Sequence, residues 1–147
     1  MKVEVHIDPK LTQNTVELHA PARTPQVEQL LRQLEELTTP TTFTAFCGDQ
    51  ARLLPLQDIL RFYADGKGVS CQATTGTYSV RERLYELEEA LEGTRLVRVS
   101  HSELVNLNRV TALDLSLTGT IKMTLEGGVT VYVSRRYVKK IKQALDL

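Results

Sequence analysis

Arg95-Leu-Val-Arg-Val-Ser-His-Ser-Glu-Leu-Val-Asn-Leu-Asn-Arg-Val110 sets two apolar runs on either side of a polar break. It predicts a short strand through Val99, a polar break at Ser100-His101-Ser102 and a second apolar run from Leu104. Apolar residues hold the base of such a hairpin, while its tip offers hydroxyls and an imidazole outward. The tip suits a recognition loop, and equally an ordinary polar turn. The surrounding chain has to decide.

Toward the C-terminus, Thr111–Leu117, Thr120–Leu125 and Val129–Val133 read as strands. Leu117-Thr-Gly-Thr120 and Glu126-Gly-Gly128 are the turns joining them, which predicts an antiparallel meander. Ser134 can cap a last helix with an apolar side of Val138, Ile141, Ala144 and Leu145. Arg135, Arg136, Lys139, Lys140 and Lys142 give its start and other side a dense positive charge.

Toward the N-terminus, Leu84, Leu87 and Leu91 predict a helix over roughly 80–92, capped by Ser79 and stopped by Gly93. Its outer side carries Glu82, Glu86, Glu89 and Glu92, so it cannot face a polyanion. Thr42–Phe46, Ala51–Leu54, the run ending at Tyr63, Val69–Ala73 and Thr77–Ser79 read as strands. Asp65-Gly-Lys-Gly68 is a tight turn among them, with glycine available for positive φ. In front, Lys2–Ile7 and Thr15–His19 alternate with period two about the Asp8-Pro-Lys10 turn, which predicts a β-hairpin. Thr24 and Pro25 open an amphipathic helix over 25–37, with Val27, Leu30, Leu31, Leu34 and Leu37 at helical spacing. The expected organisation is a strand-strand-helix extension over 1–40 and a mainly β (α+β), antiparallel domain over 41–147.

A chain of 147 residues can bury a core without metals or disulfides. No apolar run approaches the ~20 residues that cross a bilayer. The alternating N-terminus is no signal peptide. Cys47 and Cys71 sit in apolar contexts without metal-ligand spacing and read as reduced core residues of a cytoplasmic protein, although a bridge between them stays open. His6 and His19 complete no metal site. Cys71 and His101 lack the orienting third group of a nucleophile pair, so no catalytic residue, metal or cofactor is expected. The net charge is zero, but residues 93–147 carry nine basic and four acidic side chains, a local +5. That asymmetry points to an anionic partner or to an unevenly charged solvated surface.

The order of blocks is specific. Leu53-Leu-Pro-Leu-Gln-Asp-Ile-Leu-Arg-Phe-Tyr-Ala64 is followed by the Lys67 turn and the helix Arg81-Glu-Arg-Leu-Tyr-Glu-Leu-Glu-Glu-Ala-Leu91. Then come Arg98-Val-Ser-His-Ser102 with Val105-Asn106, and Tyr132-Val-Ser-Arg-Arg-Tyr-Val-Lys-Lys-Ile141. Over residues 42–147 the chain resembles the LytTR family of bacterial DNA-binding domains, and in particular its short stand-alone members without a receiver domain. The resemblance implies an elongated β fold whose loops, not a recognition helix, enter successive major grooves of double-stranded DNA at direct repeats near promoters. It places three loops on DNA: Asp65–Val69, Ser100-His101-Ser102, and Ser134-Arg135-Arg136 with Lys139 behind it.

Arg136 can offer paired donors to a guanine edge and His101 can donate or accept at a base. Lys67, Lys139 and Lys140 suit phosphates, as do the hydroxyls of Ser134 and Ser102. Of Arg135 and Arg136 one faces DNA and the other a carboxylate or solvent, and the resemblance favours Arg136. Arg98 can pair with a carboxylate or a phosphate. Asn106 is expected to satisfy local backbone. Glu126 would repel phosphate if it faced DNA. The stripe Val27, Leu30, Leu31 and Leu34 is expected to form a homodimer or dock a partner. Stand-alone relatives look paired with a small restraining membrane protein, which implies such a partner here. The competing function is a protein-interaction module with a degenerate DNA surface.

Overall fold

The computed structural model describes residues 1–147, apart from the side chain of Thr38. The chain divides into two units, Met1–Thr38 and Thr39–Leu147.

The first unit is built on helix α1, Pro25–Thr38. Thr24 starts it: its carbonyl accepts from Glu28 N at 3.0 Å and its hydroxyl from Val27 N at 3.3 Å. Pro25 then fills the first helical position, where no N–H is needed. Val27, Leu30, Leu31 and Leu34 are half-buried along one face, while Leu37 is exposed. The Asp8 turn forms, with Lys10 N donating to Asp8 Oδ1 at 2.9 Å. The hairpin expected around it does not: residues 1–24 contain no strand, and Val3, Val5 and Ile7 stay exposed. Alternation alone cannot hold a two-stranded ribbon, which is marginal in water unless a third strand or a helix covers its apolar side.

The second unit is mostly antiparallel β with small helices. Its strands are β1 Thr42–Cys47, β2 Gln50–Pro55, β3 Ile59–Asp65, β4 Gly68–Ala73, β5 Gly76–Val80, β6 Leu96–Ser100, β7 Glu103–Asn106, β8 Val110–Asp114, β9 Ile121–Leu125 and β10 Val129–Val133. Helices α2, Leu84–Ala90, and α3, Val138–Ala144, complete it. Seven strands form one sheet in the order β2-β1-β5-β4-β3-β7-β6, and β10-β9-β8 form the expected meander.

The pleat of the larger sheet sorts its side chains to two cores. Ile59, Phe62, Cys71, Leu96 and Leu104 pack on one face with Leu87 and Leu91 of α2 and the segment after it. Leu60, Val99, Val105 and Leu107 pack on the other with Ile121, Met123, Leu125, Val131 and Val133 of the meander and Ile141 of α3. Neighbouring residues of β3 and β7 thus bind the sheet to different layers.

Two expected caps are replaced. Ser79 lies within β5, its hydroxyl donating to Phe46 O at 3.2 Å, so it cannot start α2. The helix begins after Arg83, whose N–H donates to Glu86 at 3.1 Å. The strand runs to Val80, one residue beyond the expected Thr77–Ser79, and the helix starts at Leu84 instead of near 80. Ser134 does not cap either: its hydroxyl donates to Val99 O at 3.4 Å.

Candidate nucleic-acid interface

Three tips gather at one end of the second unit, tied by backbone hydrogen bonds. The first joins β3 to β4 through Gly66 and Lys67, with Asp65 paired to Gly68. Gly66 takes φ of +62°, the left-handed value that a two-residue hairpin turn requires at a central position. The second is the β6–β7 tip around His101 and Ser102. Because β3 pairs antiparallel with β7, Tyr63 opposite Glu103, the end of β3 lies beside the start of β7. Ala64 N donates to Ser102 O at 2.9 Å and fixes one tip to the other.

The third tip follows β10. The register of β6 slips between Arg98 and Ser100, which leaves the carbonyl of Val99 free of the ladder. Ser134 N donates to it at 2.9 Å. The bulge therefore docks the segment Ser134-Arg135-Arg136 against the base of the second tip.

Lys67, His101, Ser102, Arg135, Arg136, Lys139 and Lys140 are exposed, while Ser100 and Ser134 are half-buried. Among the described residues no carboxylate pairs with Lys67, Arg135, Arg136, Lys139 or Lys140. Arg136 lies over the Tyr137 ring, 5.4 Å from its centroid. Arg135 lies across Gly119 in the β8–β9 loop, so close that a Cβ there would come within 2.9 Å of its guanidinium.

Other expected residues turn inward. Arg98, 8% exposed, donates to Glu88 at 3.1 Å, to Ser100 O at 2.6 Å and to His101 O at 2.7 Å. Asn106 accepts from Asn108 N at 3.0 Å, the local backbone bond its type suggested, and also donates to the sequence-remote carbonyls of Leu56 and Ile59. Glu126 is held by Arg109 at 2.6 Å, and Arg109 also donates to Gln57 O at 2.7 Å. The carboxylate that could have repelled a phosphate is thus neutralised. Arg61 bridges three strands, donating to Gln72 of β4 at 2.8 Å and Glu103 of β7 at 3.0 Å. Sequence reading missed the inward roles of Arg61 and Arg109 because their partners are remote along the chain.

The thiols differ as their surroundings do. Cys71 is buried as expected, but Cys47, the last residue of β1, is exposed and not in the core; both are free, so the bridge left open by the sequence does not form. Burial pushes the Cys71 thiol up to about 12.

The fold and the edge together define an antiparallel β domain that presents a basic, loop-borne surface. The family model of the LytTr DNA-binding domain matches residues 49–146, and the chain belongs to that family. Two Staphylococcus aureus proteins, from strains MSSA476 and NCTC 8325, are each 29% identical over 147 residues, covering 100% of this chain and 99% of the relative. Both are named as uncharacterized HTH-type transcriptional regulators. A solved LytTr DNA-binding domain from Bacillus cereus superposes with a TM-score of 0.68 at 22% identity, covering 74% of this chain and 99% of that one. That likeness shows the fold. The described residues contain no pair of helices joined by a short turn, so a helix-turn-helix is not what carries the free cations here.

Proposed function

We propose that the protein is a sequence-specific transcriptional regulator that reads successive major grooves of duplex DNA with its three tips. The observation carrying this reading is the hydrogen-bonded alignment of those tips, with unpaired cations on two of them and on the helix behind the third. Arg136 and His101 contact base edges, Arg136 by a paired donor fork to guanine. Lys67, Lys139 and Lys140 contact phosphates, with Ser102 donating its hydroxyl to a phosphate oxygen. Ser100 and Ser134 shape their tips and reach the backbone of the duplex from them. Arg135, lying across Gly119, adds positive potential beside Arg136. The names of the Staphylococcus aureus relatives support a role in transcription regulation, which would be exercised in a bacterial cytoplasm.

Residues 1–38 serve as the association unit in this proposal. Val27, Leu30, Leu31 and Leu34 present an apolar stripe that pairs with a second copy. A small membrane-protein regulator competing for that stripe would couple a signal to DNA binding.

Selection of duplexes from a random pool, followed by titration of the winner against its scrambled form at physiological salt, tests the main reading. A reproducible consensus bound in preference to the scrambled form is expected. Weak affinity without sequence preference would favour an interaction module with a degenerate DNA surface. Sedimentation of the full chain beside Leu30→Glu/Leu34→Glu tests pairing: a dimer reduced to a monomer supports it, and an unchanged state refutes it.

A further inference from the structure

We infer that Arg98 is a positioning residue for DNA reading, which rests on the function proposed above. Its guanidinium is occupied by bonds to Glu88, Ser100 O and His101 O and is not a DNA contact. It turns the backbone of the β6–β7 tip so that the tip's outer side is free of carbonyl oxygens.

The tip has three carbonyls, and all three have donors inside the protein. Ser100 O accepts from Arg98 Nε at 2.6 Å and His101 O from Arg98 Nη2 at 2.7 Å. Ser102 O accepts from Ala64 N at 2.9 Å. A carbonyl oxygen presented to phosphate, or to the acceptor edge of guanine, would meet another partial negative charge. Drawing the three oxygens inward leaves the imidazole of His101 and the hydroxyl of Ser102 on the outer side. Ser102 N is held too, donating to Ser100 Oγ at 3.2 Å. The tip is therefore set before DNA arrives, and the cost of ordering it on binding is smaller.

Only arginine suits this bracket. Its planar fork gives two carbonyls separate donors in a fixed geometry and still leaves Nη1 for Glu88. Glu88, on α2, supplies the counter-charge that a buried guanidinium needs. The acidic helix that cannot itself face DNA thereby helps shape a tip that does.

The test compares wild type with Arg98→Lys and Glu88→Gln. The probes are a duplex selected by the wild type from a random pool and the same duplex scrambled. Arg98→Lys should lose about tenfold or more of the preference for the selected duplex. Its salt dependence should stay the same, because no phosphate contact is removed. Glu88→Gln keeps both carbonyl bonds and should lose about two- to threefold. Without DNA, amide exchange at residues 100–102 should be faster in both variants. A cooperatively melting Arg98→Lys with unchanged preference would overturn the inference. So would equal weakening on both duplexes with an altered salt slope. If Arg98→Lys does not melt cooperatively, Glu88→Gln decides: reduced preference with faster tip exchange supports the inference, and unchanged preference overturns it. A wild type that selects no duplex would bring down the proposed function first, and this inference with it.

Discussion

The arginines paired within the second unit and the cations on its tips follow opposite rules. Arg61, Arg98 and Arg109 each reach a carboxylate and at least one further acceptor. Lys67, Arg136, Lys139 and Lys140 are exposed and have no carboxylate partner among the described residues. A buried cation without a partner is strongly destabilising, so the buried Arg98 has to be paired, and the half-buried Arg61 and Arg109 are paired as well. A solvated cation needs no partner and remains available to a polyanion. Charge locked to acid inside this domain belongs to its architecture, and charge left unmatched at its edge belongs to its partner.

The largest expected effect comes from removing both proposed base contacts. His101→Ala with Arg136→Ala should abolish about 2 kcal/mol or more of discrimination between selected and scrambled duplexes, read by equilibrium titration. Melting should stay at the wild-type temperature, because both side chains are exposed. Arg109→Ala should do the reverse. Glu126 and Asp58 lose their cation and Gln57 O its donor, so stability should fall by about 1–2 kcal/mol in urea unfolding. Duplex preference should be kept. Lys139→Ala should weaken both duplexes alike and reduce the slope of log affinity against log salt by about 1.

The last effect concerns the thiols and is silent in stability at neutral pH. A thiol reagent at neutral pH should modify Cys47 in the folded protein and reach Cys71 only on unfolding, since the first is exposed and the second buried. The folded value of Cys71 is raised to about 12 from an ordinary 9.0. Its contribution to stability is therefore complete below about pH 9 and is lost as the pH climbs toward 12. The urea midpoint should decline over that interval, and Cys71→Ala should remove the part due to this thiol.

Much of this molecule could be read from local pattern. The meander was legible because β9 and β10 alternate and a Gly-Gly pair joins them, with φ of +80° and +79° at Gly127 and Gly128. The β6–β7 tip was legible because apolar residues flank Ser100-His101-Ser102. The same rule misled at the front of the chain, where alternation in Lys2–Ile7 met no third element and produced no strand. Ser79 misled at α2 because a hydroxyl that can cap a helix can equally sit in a strand. The inner arginines were not legible in principle. Arg98 and Glu88 are 10 residues apart, Arg109 and Glu126 are 17, and Arg61 and Glu103 are 42. No spacing rule connects such pairs, so Arg98 looked equally suited to a carboxylate and to a phosphate. The free cations of the third tip could be recognised because a cluster this dense has too few acids within local reach.

Dimethyl sulfate footprinting on the selected duplex tests most directly whether three tips from one edge enter the major groove. It reads guanine N7, which lies in that groove. Protected guanines are expected in clusters about one helical turn, roughly 10 base pairs, apart, with one cluster losing protection in Arg136→Ala. Guanines left fully reactive under saturating protein, with changes confined to minor-groove adenines, would contradict major-groove entry.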